Sequence, residues 1–288
     1  MLLTKLLNLF NFIKFEHSIF ALPFALSGAL LTKGNGLPEL KTLFWIILAM
    51  IGARSFAMSI NRILDKEIDI KNPRTSTREL PQNKITTLQA IIFSAISLCI
   101  FIYTALQLPK ICLILLPVAA LWFFIYPYTK RFTYLSHLWL GVALGGSVLG
   151  GWLASTGDIK SLTPYLLGLA VTFWVAGFDI IYACQDYEFD KSNNLHSIPK
   201  EFGIKNGLLI SRSFHIFAVF FLLLTGTMIN SSIIYWLAVI FVAGMLTYEQ
   251  SLVKENDLSK VNLAFFTING WVSIGFFVFI LLEKTIQW

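Results

Sequence analysis

The sequence predicts an all-α protein that crosses a membrane many times, and three observations lead to this fold class. The chain of 288 residues is 56% hydrophobic and 13% charged, whereas soluble domains have about 25% charged residues. Apolar runs of roughly bilayer-spanning length recur along the whole chain. Backbone groups in lipid must be paired within a segment, so such runs form helices; a transmembrane β-barrel would show short alternating segments instead.

Nine apolar runs are candidates for membrane-spanning helices. The first run has a marginal length and the fourth is short, since a span needs about 17 to 25 residues. The runs cover residues 17–32, 41–62, 85–107, 111–127, 135–155, 162–183, 207–229, 232–249 and 261–282. They follow one another without a soluble insertion, which predicts a single transmembrane domain over residues 1–288.

The N-terminal segment, residues 1–16, has an amphipathic pattern. Its apolar residues form one helical stripe, made of Leu3, Leu6, Leu7, Phe10 and Ile13. We expect a helix that lies at the membrane interface, and the alternative is a leading extension of the first span.

The distribution of Lys and Arg predicts the orientation in the membrane. With the N-terminus in the cytoplasm, the inner segments hold sixteen Lys and Arg residues and the outer segments hold five. Positively charged loops stay in the cytoplasm, so loops 63–84 and 184–206 share the cytoplasmic face. The net charge of +6 is then explained by these loops and by anionic headgroups, and no nucleic-acid partner is expected.

Two acidic motifs follow membrane-spanning runs at this face. In the first, NRILDKEID, the residues Asn61, Asp65 and Asp69 have the spacing i, i+4 and i+8, which places them on one face of a helix. In the second, DIIYACQDYEFD, the residues at i, i+3, i+7 and i+11 also share a face; they are Asp179, Tyr182, Asp186 and Asp190. The similar motifs and the basic loop after each suggest an internal repeat of two halves.

Carboxylates in two facing rows repel one another unless cations lie between them. Mg²⁺ prefers oxygen ligands and is usually held by one or two carboxylates together with substrate phosphates. Basic residues near the motifs would bind the remaining phosphate oxygens; these are Arg74, Arg78, Lys130 and Arg131. The pattern therefore predicts a diphosphate site at the membrane surface, and the alternative is a set of ordinary solvated acids at loop ends.

Four segments, in this order along nearly the whole chain, resemble the UbiA-type intramembrane aromatic prenyltransferases. They are NRILDKEID, NPRTSTRELP, YPYTKR and DIIYACQDYEFD. In that family the first motif is usually N-D-x-x-D-x-x-x-D and the second D-x-x-x-D. Here Arg62 replaces an Asp, which bears on one possible metal contact. The stretch FEHSIFALPFALSGALL is similar to the 4-hydroxybenzoate polyprenyltransferase-like branch, which includes the prenyltransferase of the futalosine route to menaquinone.

The resemblance implies a fold, a localisation and a set of site residues. The family fold is a ring of nine transmembrane helices around a central cavity, capped by the two cytoplasmic loops, and the membrane would be the bacterial inner membrane. Mg²⁺ and the diphosphate would be held by Asn61, Asp65, Asp69, Asp186 and Asp190. Tyr126 and Lys130 would lie beside the leaving diphosphate, with Arg74 and Arg78 as further contacts.

The implied reaction is the Mg²⁺-dependent transfer of a polyprenyl chain from polyprenyl diphosphate to a hydroxylated aromatic carboxylic acid, such as 4-hydroxybenzoate or 1,4-dihydroxy-6-naphthoate, for ubiquinone or menaquinone synthesis. One alternative is a secondary transporter, although transporter sites lie near the midplane rather than at one face. Another is the same family with a different acceptor: haem, a chlorophyllide or a glycerol ether lipid.

Arg54 lies inside a predicted span and needs a partner there, because an intramembrane Arg costs about 2.5–3.5 kcal/mol on insertion scales. It lies seven residues before Asn61, on the same helical face. Its partner is either the carboxylate of the aromatic acid or a motif aspartate. Glu16 and His17, at the start of the first run, either line the aromatic pocket or anchor the chain at the interface.

Overall fold

The computed structural model describes residues 8–32 and 37–286, and its long elements are helices. We number them along the chain as α1 Leu22–Leu30, α2 Leu40–Leu64, α3 Lys66–Lys71, α4 Thr87–Leu106, α5 Lys110–Thr129, α6 Ser136–Thr156, α7 Thr163–Ala183, α8 Tyr187–Ser192, α9 Ile198–Met228, α10 Ile233–Leu252 and α11 Asn269–Thr285. Two 3₁₀ turns, Phe15–Phe20 and Cys184–Asp186, and a π turn, Leu263–Ile268, precede α1, α8 and α11.

The expected all-α membrane architecture is confirmed. Within the described residues, eight helices are long and apolar enough to cross a bilayer: α2, α4, α5, α6, α7 with its extension to Ser192, α9, α10 and the helix over Leu263–Thr285. The first predicted run is also helical, but it divides into a 3₁₀ turn and the nine-residue α1. Nine residues of α-helix extend only about 14 Å, so α1 does not span the membrane by itself.

The helices form a closed ring. From α4 onwards each long helix packs against the next one along the chain, and α2 also contacts α5. The last helix, α11, packs on α1, and α1 in turn contacts α2 and α6. The short α1 therefore closes the ring from inside, where it holds the first and last thirds of the chain together.

The apolar core lies around α7 and the inner face of α1. Phe24 of α1 packs against Trp174 of α7 and stacks on Phe276 of α11, at ring-centroid distances of 4.9 and 5.3 Å. Large apolar side chains on the outer faces of α4 and α9, such as Ile96 and Ile216, are exposed. This inside-out distribution suits lipid, in which exposed apolar side chains carry no cost.

Two glycines allow α1 and α6 to approach each other closely. A Cβ atom on Gly28 would lie 2.2 Å from the Val148 carbonyl oxygen, and one on Gly151 would lie 1.9 Å from the Ala25 carbonyl oxygen. Small residues serve this purpose in membrane helices, where association depends on close packing rather than on the hydrophobic effect. Gly150, by contrast, has open space where its Cβ would be.

The N-terminal segment packs on the loop 63–84. Residues 1–7 of the expected interfacial helix lie outside the described residues, residues 8–12 are helical, and the chain turns at Lys14, which has a φ of 49°. Phe12 and Ile13 are buried in a cluster with Leu80 and Ile85. In this part of the segment the loop before α4 covers Ile13 of the apolar stripe, whereas Phe10 of the same stripe is exposed.

The predicted loop 184–206 is largely helical. The Ser197 hydroxyl accepts a hydrogen bond from the Lys200 backbone N–H, and Pro199 lies in the first turn, so α9 begins at Ile198. These are strong helix-start signals. The helix is interrupted only at Gly203, which has a φ of 81°. The helix that contains the span predicted at 207–229 therefore begins nine residues earlier, at Ile198.

We expect Gly151→Ala to destabilise the protein by about 1–3 kcal/mol, because the new methyl group meets the α1 backbone rather than a movable side chain. The matched control is Gly150→Ala in the same helix, which should be neutral or slightly stabilising because Ala favours helix more than Gly does. Thermal unfolding midpoints of the detergent-solubilised proteins measure the difference. Equal midpoints for the two variants would contradict the close approach of α1 and α6.

Candidate functional site

Both acidic motifs lie where a membrane helix is interrupted. α2 ends at Leu64, and Asp65, with φ and ψ of −93° and 2°, connects it to the six-residue α3. Asp186, with nearly the same angles of −97° and 6°, connects the 3₁₀ turn after α7 to the six-residue α8. The expected continuous helical face is thus broken at one aspartate in each motif. The shared geometry supports the internal repeat suggested by the sequence.

Asp65 is buried, and it is paired with two cations from the end of α5. Its Oδ2 atom lies 2.5 Å from Lys130 Nζ, and its Oδ1 atom lies 3.5 Å from Arg131 Nη2. Arg131 Nη2 also donates to the Leu64 carbonyl oxygen, at 2.7 Å. Burial raises the pKa of the Asp65 carboxyl above its ordinary value, and the Lys130 ammonium opposes that shift. The sequence analysis grouped Lys130 with the acidic motifs, and the structure shows a direct ion pair between Lys130 and Asp65.

Asp69 is also buried and has a single cationic partner. Both of its carboxylate oxygens accept hydrogen bonds from Arg78 Nη1, at 2.8 and 2.9 Å. Arg78 comes from the loop that follows α3, so this pair closes the loop back onto its own motif.

Arg74 connects the two motifs. Its Nε atom donates to Asp186 Oδ1 at 2.9 Å, its Nη2 atom forms an ion pair with Asp186 Oδ2, and its Nη1 atom donates to the Tyr182 hydroxyl at 2.8 Å. Asn72 Nδ2 donates to the same carboxylate at 3.0 Å. Burial alone would lower the pKa of Arg74, but the hydrogen bonds and charge of Asp186 raise it. A side chain of the first loop is thus locked to the second motif.

The two remaining acids of the second motif have polar partners of other kinds. Asp190 Oδ2 accepts a hydrogen bond from the Ser197 hydroxyl at 2.8 Å. Asp179 Oδ2 lies 2.7 Å from Nδ1 of the buried His137, whose Nε2 accepts from the Ile198 backbone N–H at 3.3 Å. Asp179 therefore faces a histidine at the start of α6 rather than the other acids.

Three residues near the site were not identified from the sequence: Asn72, His137 and Ser197. His137 lies at the start of α6 and is buried beside Asp179. No sequence spacing connects it to a residue 42 positions away. Asn72 had a local signal, because it directly precedes the Pro-Arg of the first loop and its Oδ1 accepts from the Arg74 backbone N–H at 2.9 Å.

Other predicted site residues lie beside the ion pairs without joining them. Asn61, in the last turn of α2, and Tyr126, four residues before Lys130 on α5, are half-buried. Arg54 Nη2 donates to the Lys14 carbonyl oxygen at 3.1 Å. The alternative that paired Arg54 with a motif aspartate is therefore wrong, because the N-terminal segment folds against α2 and reaches it first.

An aromatic cluster adjoins the second motif. The Phe265 ring, in the π turn, stacks on the Tyr182 ring at a centroid distance of 4.1 Å and meets His17 and Phe20 at 5.7 and 5.6 Å. The Asn269 side-chain amide donates to the Ala264 and Phe265 carbonyl oxygens of the π turn, at 2.9 and 3.2 Å. His17 thus lines the aromatic cluster, while Glu16 forms an ion pair with Lys14 at 3.4 Å.

The donor atoms suit a hard divalent cation, although the described residues contain no ready-made group of three or more acidic, His or Cys ligands. Mg²⁺ does not need such a group, since it is commonly held by one or two carboxylates plus phosphates. Asp65 Oδ1 is buried and accepts no hydrogen bond from the described residues, so it has a free lone pair. The motif residues therefore fit Mg²⁺ bound together with a phosphorylated ligand.

The arrangement offers exchangeable charge. Asp65, Asp69 and Asp186 are each paired with a Lys or an Arg. Each of these cations lies in a loop or directly after a helix end. A diphosphate with its counter-ions can replace these contacts, because phosphate oxygens take the guanidinium and ammonium groups while the carboxylates take the metal.

Comparisons with known proteins agree with this geometry. The model of the UbiA prenyltransferase family matches residues 21–272. The chain is 28% identical to the 4-hydroxybenzoate octaprenyltransferases of Shewanella sediminis and Shewanella oneidensis over 250 residues, covering 87% of this chain and 86% of each relative. The solved structure of a UbiA homolog from Aeropyrum pernix K1 superposes with a TM-score of 0.85 at 33% identity, covering 93% of this chain and 98% of that one.

A UbiA homolog from Archaeoglobus fulgidus, solved bound to GPP and Mg²⁺, shares the fold with a TM-score of 0.77 at 18% identity, over 97% of this chain and 100% of that one. The family match covers most of the chain, and the fold is the one these homologs share. The chain therefore belongs to the UbiA prenyltransferase family and is a multi-pass membrane prenyltransferase.

Proposed function

We propose that the protein transfers a polyprenyl chain from polyprenyl diphosphate to a hydroxylated aromatic carboxylic acid, of the 4-hydroxybenzoate or 1,4-dihydroxy-6-naphthoate type, in ubiquinone or menaquinone synthesis. The observation that carries the proposal is the bond between Arg74 and Asp186, because it joins the loop that follows the first acidic motif to the second acidic motif. The relatives named 4-hydroxybenzoate octaprenyltransferase support the choice of acceptor.

In this proposal the basic side chains of the site bind the diphosphate. Lys130, Arg74 and Arg78 give up their carboxylate partners and donate to phosphate oxygens, with Arg131 as a further cation. Tyr126 lies beside the leaving group, one helical turn before Lys130. Withdrawing negative charge from the diphosphate in a site of low dielectric favours its departure from the allylic carbon.

Mg²⁺ is the proposed cofactor, and the A. fulgidus homolog bound to GPP and Mg²⁺ supports it. The residues that would hold the ion are Asn61, Asp65, Asp69, Asp186 and Asp190. When bound, the metal would act as a Lewis acid on the diphosphate oxygens. Asp179 and Tyr182 lie next to this set and orient the second motif through His137 and Arg74.

The acceptor ring is proposed to lie on the side of Arg54 and the aromatic cluster. An allylic cation formed there alkylates the electron-rich ring carbon ortho to the hydroxyl, and the ring proton is lost to an aspartate or to the leaving diphosphate. The π-faces of the cluster stabilise a nearby cation. The carboxylate of the acid would accept from Arg54, whose buried Nε atom donates to no acceptor among the described residues.

One of the two alternative functions is excluded by the family, and the other is compatible with it. Membership of a prenyltransferase family removes the secondary transporter. Haem, a chlorophyllide or a glycerol ether lipid remains a different acceptor for the same chemistry, and the proposal favours the aromatic acid because of Arg54 and the named relatives. We further propose that the N-terminus and both acidic motifs face the cytoplasm of a bacterial cell, with the helices in its inner membrane, as the distribution of positive charge indicates.

Activity should require a divalent cation, with Mg²⁺ preferred, because the acidic motifs alone would repel a diphosphate. The assay uses purified membranes, a radiolabelled prenyl diphosphate and 4-hydroxybenzoate, with excess EDTA and then with restored Mg²⁺. Product formation should stop with EDTA and recover with the metal. Full turnover in EDTA would show that the cations of the protein suffice, and the proposed role of the carboxylates would be wrong.

The acidic motifs should act as one unit. Asp65→Asn and Asp186→Asn each keep the side-chain shape and remove the charge, and each alone should nearly abolish turnover. The double variant should be scarcely worse than either single variant, because residues that grip one ligand jointly are not additive. Initial rates at saturating substrates measure the coupling.

The matched controls are Glu67→Gln and Glu188→Gln, since these exposed carboxylates lie on the same short helices as the motif acids. Both should retain the parent rate. Mild single losses that multiply cleanly in the Asp65 and Asp186 double variant would mean that the motifs are independent charges at loop ends.

Arg54→Leu should raise the KM for the aromatic acid more than the KM for the prenyl diphosphate. Losing one charge-assisted pair costs on the order of 1.5–3 kcal/mol, which corresponds to roughly ten- to a hundredfold in affinity. Steady-state kinetics with each substrate varied in turn separate the two constants. If only the prenyl diphosphate constant rises, Arg54 serves the diphosphate, and the acid has another partner.

A further inference from the structure

Arg62 is a buried cation for which the described residues supply no hydrogen-bond acceptor at Nε or Nη1. It lies in the last turn of α2, between Asn61 and Asp65, and only 3% of its surface is exposed. Its Nε and Nη1 atoms are both buried, and neither meets an acceptor within the described part of the chain. A buried charge without a partner is strongly unfavourable. The arrangement is reasonable only if an anion completes it.

The carboxylates of the site do not supply that anion. Asp65 is bonded to Lys130, and Asp186 is bonded to Arg74. The charge of Arg78 repels Arg62, and Asp69 and Glu79 attract it. Asp69 gives both of its oxygens to Arg78, and neither acid accepts a hydrogen bond from Arg62 among the described residues. The missing acceptor therefore comes from outside the described structure.

Arg54, a second arginine on the same helix, also has a buried nitrogen without an acceptor among the described residues. Arg54 has one hydrogen bond, to the Lys14 carbonyl oxygen, and its buried Nε atom has no partner. His17 interacts electrostatically with both Arg54 and Arg62, so both positive charges act on the 3₁₀ turn before α1. The acid of that segment, Glu16, is paired with Lys14. This side of α2 thus holds an excess of buried positive charge.

We propose that Arg62 is a specificity-determining residue that binds the carboxylate of the acceptor together with Arg54; this rests on the proposed function. A carboxylate has two oxygens with about four acceptor sites, so it can take donors from two guanidinium groups. The diphosphate has its own cations in Lys130, Arg131, Arg74 and Arg78. A pocket with unsatisfied buried donors also rejects analogues that lack the negative oxygen.

The test compares Arg62→Met, which keeps the bulk and removes the charge, with Arg62→Lys, which keeps the charge with fewer donors. Arg212→Met is the matched control, because Arg212 is exposed on α9. For each purified full-length protein we would measure KM for 4-hydroxybenzoate and for geranyl diphosphate. Binding of 4-hydroxybenzoate and 4-hydroxybenzamide would be measured separately, by tryptophan fluorescence without the donor substrate.

We expect Arg62→Met to weaken 4-hydroxybenzoate binding by on the order of ten- to a hundredfold. The KM for geranyl diphosphate should stay within about twofold, and Arg62→Lys should recover part of the loss. The uncharged amide should bind weakly to the parent protein and be little affected by the substitution. The Arg212 control should behave as the parent does. If the Met variant does not fold, the same comparison is made with the Lys variant alone.

Two results would overturn the inference. One is a raised KM for geranyl diphosphate with unchanged acid binding, which would place Arg62 at the diphosphate. The other is unchanged binding of both substrates in a folded variant, which would make Arg62 a structural residue. Failure of the proposed function looks different, because the parent protein would then form no prenylated acid. If the parent binds neither 4-hydroxybenzoate nor 1,4-dihydroxy-6-naphthoate, both conclusions fall.

Discussion

Buried charge at the end of a membrane helix must be neutralised, and this requirement organises the side of the protein that carries the two acidic motifs. Asp65, Asp69 and Asp186 are each paired with a Lys or an Arg. The desolvation cost of such ions is several kcal/mol each, and removing one partner leaves the other uncompensated. The loops that carry the cations are therefore held against the helix ends that carry the acids, and the site is assembled by the same contacts that order the loops.

These pairs are also the reason that the site can bind a ligand. The four basic side chains of the site add nothing to apolar packing. In the proposed function a diphosphate accepts their hydrogen bonds, and the carboxylates become available to a metal ion. The two aspartates at helix breaks, Asp65 and Asp186, adopt almost identical backbone angles. A helix that ended one residue earlier or later would turn its carboxylate to a different side, so the breaks contribute to the function as much as the charges do.

The glycine contacts and the polar groups deeper in the membrane serve the site indirectly. The close approach of α1 to α6 at Gly28 and Gly151 keeps α1 inside the ring, where the preceding 3₁₀ turn brings His17 to the aromatic cluster. On the other side, Asn269 accepts a hydrogen bond from Trp174 Nε1 at 2.6 Å and donates to the buried Glu249 at 2.9 Å. This network holds the π turn that presents Phe265 to Tyr182.

The sequence by itself determined the fold class, most helix positions and the groups of residues that form the site. Apolar periodicity and length are local properties, so α4, α5, α6 and α10 lie within a few residues of the predicted runs, and the acidic motifs with their basic loops were identified as one constellation. Only the tertiary structure decided which partner each charge takes. Arg54 bonds the Lys14 carbonyl, Asp179 meets His137, and Arg62 is left without an acceptor. The physical reason is that pairing in a low-dielectric interior depends on distances between segments far apart in the chain, whereas the sequence pattern reports only what lies along one helix.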